Sequence, residues 1–207
     1  MLLNFSILQA QVLIKVEMDE AVIAARKFPW AIKLIANQVS VISAKEIAQA
    51  NQANTADLLQ NSGQVLVQKS QQGGGSPIMR GFEANKILLV VDGVRMNNAI
   101  YRAGHLQNSI TIDQFSLEKI EIVNGPGSVL YGSDALGGVI HFYTKSPEFS
   151  NSKKILVKGN VASRYATTNN EITNQVSLSV ANNKWGSYTS YTQSAFGDLR
   201  QGANRSA

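Results

Sequence analysis

Residues 73–95 read GGGSPIMRGFEANKILLVVDGVR, three glycines ahead of an aliphatic run. A glycine-rich loop before a buried strand is a common cradle for phosphate, because backbone N–H groups can close on the anion. The spacing here does not support that chemistry. A dinucleotide loop needs a third glycine three residues after Gly75, where Ile78 stands and would block close backbone approach. The nearest approach to a Walker loop, Gly127 to Gly132, has Ser133 in place of the lysine. No Gly-x-Ser-x-Gly nucleophile elbow occurs. The two histidines, His105 and His141, lack metal-ligand spacing, and His141 falls in a predicted strand as a packed residue. Glu118 and Glu121 lie three apart, which on a strand places them on opposite faces and not as an acid–base pair. The sequence therefore reads as no enzyme, with no cofactor and no metal.

Composition narrows the class further. Hydrophobic residues make up 44% and charged residues 16% of the 207, a chain light on charge. No window approaches the roughly 18 consecutive apolar residues of a membrane-spanning helix, so any membrane role must use strands or a partner. The net charge of +5 is scattered, with no basic block and no aromatic–basic interleaving, which argues against nucleic acid. Cysteine is absent, excluding disulfides and thiol chemistry and suiting an oxidising compartment. The first eleven residues, MLLNFSILQAQ, resemble the tail of a secretory signal, but the first positive charge is Lys15. Residues 1–17 thus read as a degenerate leader or, alternatively, an N-terminal strand.

The elements that must position these residues are short. Ser43-Ala44-Lys45-Glu46 is a capping box predicting a helix to about Gln49. Thr55 starts a second helix, with Asp57 in its first turn and Gly63 at its close. Strands are predicted at 65–67, at 87–91 with burial on both faces, at 119–123 and at 139–144, four in all. Gln71 to Pro77 and Asn97 to Ser109 are predicted loops, and Asp92-Gly93 a tight turn. Beyond Pro147 the pattern changes to alternation. Ile155, Val157, Val161 and Tyr165 form one such segment, Ile172, Val176, Leu178 and Val180 a second, and Trp185 to Phe196 a third. Asparagine turns separate them. Segments of about ten residues with a period of two mark transmembrane β-barrels, although soluble meander strands look similar.

Four ordered blocks carry a resemblance: Ser76 to Phe82 (SPIMRGF), Leu88 to Asn97 (LLVVDGVRMN), Leu117 to Gly125 (LEKIEIVNG) and Val129 to Thr144 (VLYGSDALGGVIHFYT). Their order resembles the plug domain of TonB-dependent outer-membrane receptors over about Val39 to Lys145. The resemblance implies an α+β plug domain, a small mixed four-stranded sheet with short helices, over 39–147. Residues 148–207 would then be the first strands of an antiparallel transmembrane β-barrel, here truncated. In such receptors the plug fills a barrel of about 22 strands in the cell outer membrane, with lipid around it. A scarce, bulky ligand of the siderophore, haem or cobalamin class binds outside. A periplasmic peptide, the TonB box, pairs with the TonB energy-coupling protein by strand addition.

Residue by residue, Met18, Asp19, Glu20, Ala21, Val22 and Ile23 resemble that box, within a linker spanning 18–38. Gly73, Gly74, Gly75 and Ser76 match one ligand-facing loop, and Tyr101, Arg102 and His105 fall in a second. Arg80 matches the family's Arg-Gly arginine, which faces carboxylates of the barrel wall in a releasable charge pair. Asp92 and Arg95 would fix the plug's tight turn. Two positions depart from the pattern: Asn124 stands where the family often has Arg or Lys, and Gly127 replaces Ser or Ala. A barrel of that size needs roughly 400 or more residues, whereas about 60 follow the plug. A free-standing periplasmic plug-like binding module and a non-functional gene fragment are the alternatives.

Overall fold

A computed structural model describes residues 21–22, 30–31, 38–71, 74–83, 86–96 and 109–198. Two short strands come first, β1 (Ala21–Val22) and β2 (Trp30–Ala31), paired antiparallel. Strand β3 (Gln38–Ser43) leads directly into helix α1 (Ala44–Ala50). The capping box forms: Glu46 accepts from the Ser43 backbone N–H at 2.7 Å, and Ser43 Oγ accepts from the Glu46 N–H at 3.4 Å. The Ser43 N–H bond, together with one donated by Ser43 Oγ at 2.8 Å, holds the Glu46 carboxyl below its ordinary range. Helix α2 (Thr55–Asn61) is capped by Asn54, whose side chain accepts from the Asp57 N–H at 3.0 Å. Gly63 follows in the left-handed region and ends the turn.

The central sheet has five strands rather than four. It runs β3, β8 (Leu117–Asn124), β9 (Gly138–Thr144), β6 (Ile87–Val91), β7 (Val94–Arg95). Strands β6 and β9 are parallel and every other pair is antiparallel. Two corrections account for the count. The edges β3 and β7 join the sheet, one half polar and one only two residues long, so neither carries a strong strand signal. The segment expected at 65–67 instead extends as β4 (Leu66–Gln71), outside this sheet, and pairs with β5 (Gly74–Ile78).

The expected loop over 71–77 is thus largely a strand. Its glycines answer to packing: a Cβ on Gly75 would lie 2.5 Å from Val67 Cγ1 and 3.1 Å from the Gln68 carbonyl. Pro77, which lacks an N–H, is accommodated in this two-stranded ribbon opposite Val67.

Side chains from both faces of the sheet are buried, as the aliphatic run of β6 requires. Ile87 and Leu89 face Ile120, Ile122, Ile140 and Phe142 beneath α1, α2 and the β4–β5 hairpin. Leu88 and Val90 face Val123, Val139 and Ala135 on the other side. There helix α3 (Ser128–Tyr131) and a 3-10 turn (Ser133–Ala135) provide the cover.

Three long strands follow: β10 (Leu156–Ala166), β11 (Glu171–Ala181) and β12 (Gly186–Ala195), an antiparallel meander of 11, 11 and 10 residues. Their register is unbroken from Leu156↔Ala181 to Ala166↔Glu171 and from Ile172↔Ala195 to Ala181↔Gly186.

Candidate functional site

The meander is amphipathic in an inverted sense. Along β11, Glu171 and Gln175 are 1% exposed and Thr173 and Ser177 are buried, whereas Ile172 is 48% and Val176 53% exposed. Val157, Val161, Tyr165, Leu178 and Tyr191 join the exposed face. Their register partners place them together: Val161 and Tyr191 flank Val176, and Tyr165 flanks Ile172. A water-facing sheet would bury these side chains and expose the polar ones.

The polar face docks on the sheet unit. Thr192 Oγ1 donates to Asp113 Oδ2 at 2.6 Å, beside the 3-10 turn Gln114–Ser116. Arg164 forms an ion pair with Glu171 and donates from Nε to the Asn51 carbonyl at 3.2 Å. Asn51 is the left-handed C-cap of α1, so the guanidinium sits where the negative end of the helix accepts a cation. Lys145 Nζ donates to the Phe115 carbonyl at 2.8 Å, anchoring the connection between the two units.

The arginine and aspartate singled out in the sequence occupy two turns of one kind. Arg80 and Gly81 lie at φ +51° and +81°, between Met79 and Phe82, which exchange both backbone hydrogen bonds. Asp92 and Gly93 lie at +47° and +85° in the two-residue link from β6 to β7. Positive φ at both central residues suits the right-handed twist of the flanking strands. Asp92 accepts from Thr144 N at 2.9 Å and Thr144 Oγ1 at 2.6 Å, tying this turn to the end of β9. Arg95 reaches Asp134 in an ion pair. Arg80 is exposed and donates to Gln38 Oε1 at 2.9 Å; it meets no carboxylate among the described residues.

Of the expected ligand-facing residues, Gly75 and Ser76 are buried, and the Gly75 carbonyl accepts from Ser109 Oγ at 3.2 Å. Gly74 belongs to β5. Gly73, Tyr101, Arg102 and His105 lie outside the described residues, as do Met18, Asp19, Glu20 and Ile23. Ala21 and Val22 form β1, opposite Ala31 and Trp30.

A polar cluster inside the sheet unit was not foreseen. Glu121 is fully buried on β8, accepts from Lys119 Nζ at 2.6 Å and Tyr143 OH at 3.1 Å, and pairs in register with His141. His141 stacks on Tyr143 with ring centroids 4.0 Å apart, and its Nε2 accepts from Gly93 N at 3.1 Å. In sequence these are two x-K-x-E and H-x-Y fragments 20 residues apart, and strand pairing is what unites them. Burial, then the Glu121 charge, raises the Tyr143 and Tyr131 phenols. Burial lowers the imidazole of His141, with Lys119 adding to the effect and Glu121 and Asp92 opposing it.

A histidine held below its ordinary value of 6.5 stabilises the fold above that pH and loses the contribution as pH falls. Protonating Nε2 also removes the acceptor for Gly93. Denaturant midpoints are therefore expected to drop as pH falls from 7.5 to 5, more steeply than in His141→Asn. Parallel profiles for the two chains would contradict this.

A mixed sheet unit is thus clasped by the polar face of a meander whose apolar face is turned outward. Residues 32–139 match the family model described as the TonB-dependent Receptor Plug Domain, and the chain belongs to that family. It is 37% identical over 137 residues to the vitamin B12 transporter BtuB of Vibrio vulnificus, covering 64% of this chain and 22% of that protein. It is 39% identical over 107 residues to a hemin receptor of Yersinia pestis, covering 51% and 15%. The chain thus spans about a fifth of the length of the curated relatives it matches. Among solved structures, the pyoverdine outer membrane receptor FpvA of Pseudomonas aeruginosa superposes with a TM-score of 0.58 at 16% identity. That match covers 77% of this chain and 22% of FpvA, and shows a shared fold.

Proposed function

We propose that this chain is the N-terminal part of a TonB-dependent receptor in the cell outer membrane, importing a scarce, bulky ligand. The carrying observation is the meander's inversion, polar side chains against the sheet unit and Val157, Val161, Val176 and Tyr191 facing out. Lipid is the solvent that suits such a face. Residues 39–147 act as the plug and 148–207 as the first wall strands, the docked face between them being where the plug is held. Vitamin B12 and hemin, the ligands in the relatives' names, are proposed as the classes to assay first, with iron chelates alongside. Tyr101, Arg102, His105 and Gly73 are the residues proposed to meet ligand. Gly74, Gly75 and Ser76 shape the neighbouring hairpin.

The 207 residues contain no cysteine, so a single introduced one reports on its own position. Val176→Cys and Ser177→Cys chains, labelled with a polarity-sensitive fluorophore in lipid vesicles, should report lipid at 176 only. A water-like signal at both positions would sink the membrane-wall reading.

The linker 18–38 is proposed to hold the TonB box, Met18 to Ile23, which joins the energy-coupling protein as an added strand. Strand β1 pairs with β2 on one side and with no other described strand. Val22→Pro removes a backbone donor from an added strand. Energised uptake should fall at least about tenfold if one or two ladder bonds are lost, while ligand binding at the cell surface stays unchanged. Unaltered uptake would contradict coupling through this segment.

A further inference from the structure

The two ends of the meander carry different charge. At one end the segment 148–155 runs against the turn from β11 to β12, where Ser150 N donates to the Asn182 carbonyl at 3.2 Å. Short-range bonds shape both pieces. Ser152 Oγ accepts from Lys154 N at 3.3 Å, and Asn182 Oδ1 accepts from Lys184 N at 2.7 Å and from Trp185 N at 2.9 Å. The side chains of Lys153, Lys154 and Lys184 are left exposed, and none forms an ion pair with a described residue. The nearby acid, Glu148, is engaged by Lys158. At the other end, residues 165–171 and 195–198 include no lysine or arginine, and their acids are Glu171, paired with Arg164, and Asp198.

The apolar face runs up to the basic end. Ile155 keeps the odd-numbered spacing of Val157 and Val161, and Trp185 that of Tyr191; they are 62% and 50% exposed. Three ammonium groups on one rim repel one another unless anions lie between them. Free phosphate or nucleic acid would supply the anions but leave Ile155 and the indole in water. A lipid surface serves both. Acyl chains meet the apolar face, headgroup phosphates meet the lysines, and an indole suits the boundary between them.

We propose that this end of the meander binds anionic phospholipid, with Lys153, Lys154 and Lys184 donating to headgroup phosphates and Ile155 and Trp185 seated at the acyl boundary. The proposal rests on the reading of the outer face as a membrane wall. It adds the class of lipid and the end of the strands that meets it.

The test uses the whole chain, refolded in zwitterionic micelles and mixed with vesicles of phosphatidylcholine alone or with an equal part of phosphatidylglycerol. Each lysine near an anionic surface is worth about fivefold in partition. Lys154→Gln with Lys184→Gln should therefore lower the phosphatidylglycerol preference at least about fivefold and leave binding to phosphatidylcholine unchanged. Lys45→Gln with Lys86→Gln makes the same charge change on exposed lysines of the sheet unit and should leave the preference intact. Equal losses in the two double variants would reduce the effect to net charge and overturn the site. A parent chain without any preference overturns it too.

A local readout needs none of these variants. Trp30→Phe leaves Trp185 as the single indole. Phosphatidylglycerol brominated on its acyl chains should quench Trp185 more than phosphatidylcholine brominated alike, at the same mole fraction. Equal quenching by the two lipids keeps the membrane wall and overturns the anionic site. Quenching by neither removes the wall, and the site with it.

Discussion

Gly138→Ala is expected to be strongly destabilising, with a denaturant midpoint far below that of the parent chain. Gly138 opens β9 at φ +155°, a conformation that side chains rarely adopt. A Cβ there would lie 2.7 Å from the Val123 carbonyl oxygen and 2.7 Å from the terminal methyl of Met79, which is itself fully buried. The carbonyl belongs to the neighbouring strand and cannot withdraw without parting β8 from β9. Strain and overpacking together should exceed about 3 kcal/mol, against the ~5–15 kcal/mol that typical domains possess. Gly93→Ala is the control. Gly93 also has positive φ, but nothing lies within 4 Å of the added carbon. It should cost only about 1 kcal/mol from backbone strain. Equal denaturant midpoints for the two variants would show that close approach at Gly138 is not what the fold depends on.

The second large effect concerns the outward face. Val176→Arg places a charge at the centre of the exposed apolar stripe, between Val161 and Tyr191. In aqueous solution a change at a half-exposed site should alter stability by no more than about 0.5 kcal/mol. In a bilayer the same arginine should cost about 2–4 kcal/mol near the midplane and less toward either interface. The expected result is thus a solvent-dependent one, near neutrality without lipid and a fall of at least tenfold in the inserted fraction with it. Comparing Val176→Arg with Tyr165→Arg, near the end of β10, adds a depth test. A penalty of the same size with and without vesicles would show that the stripe packs against protein rather than lipid.

Much of the fold was legible in the residues because its signals are local. Ser43 and Glu46 close their box within one helical turn, and Asp92-Gly93 needs no distant contact to form its turn. The two-residue alternation after Pro147 predicted all three meander strands, since a strand's faces follow directly from its period. The four ordered blocks likewise identified the plug. Where expectation and structure parted, chain neighbours outside the window had decided. The glycines of β5 look like a loop until Val67 and Gln68 are laid against Gly75. Strand β3 is half polar and becomes a strand because β8 offers its edge.

The same division holds for function. By itself the sequence determined that the second part of the chain alternates with a period of two, and that Arg80 and Asp92 stand beside glycines that permit tight turns. Tertiary structure alone decided which side of the alternation is buried. A period of two is identical for a sheet facing in and a sheet facing out. Only the sheet unit, packed on Glu171, Thr173, Gln175 and Ser177, shows that the polar side is inside. It also decided the company of Glu121, for Tyr143 and His141 meet it through strand register, beside Lys119 two residues back on its own strand. Register depends on the competition among all pairings of the chain, and that competition is settled when the core closes.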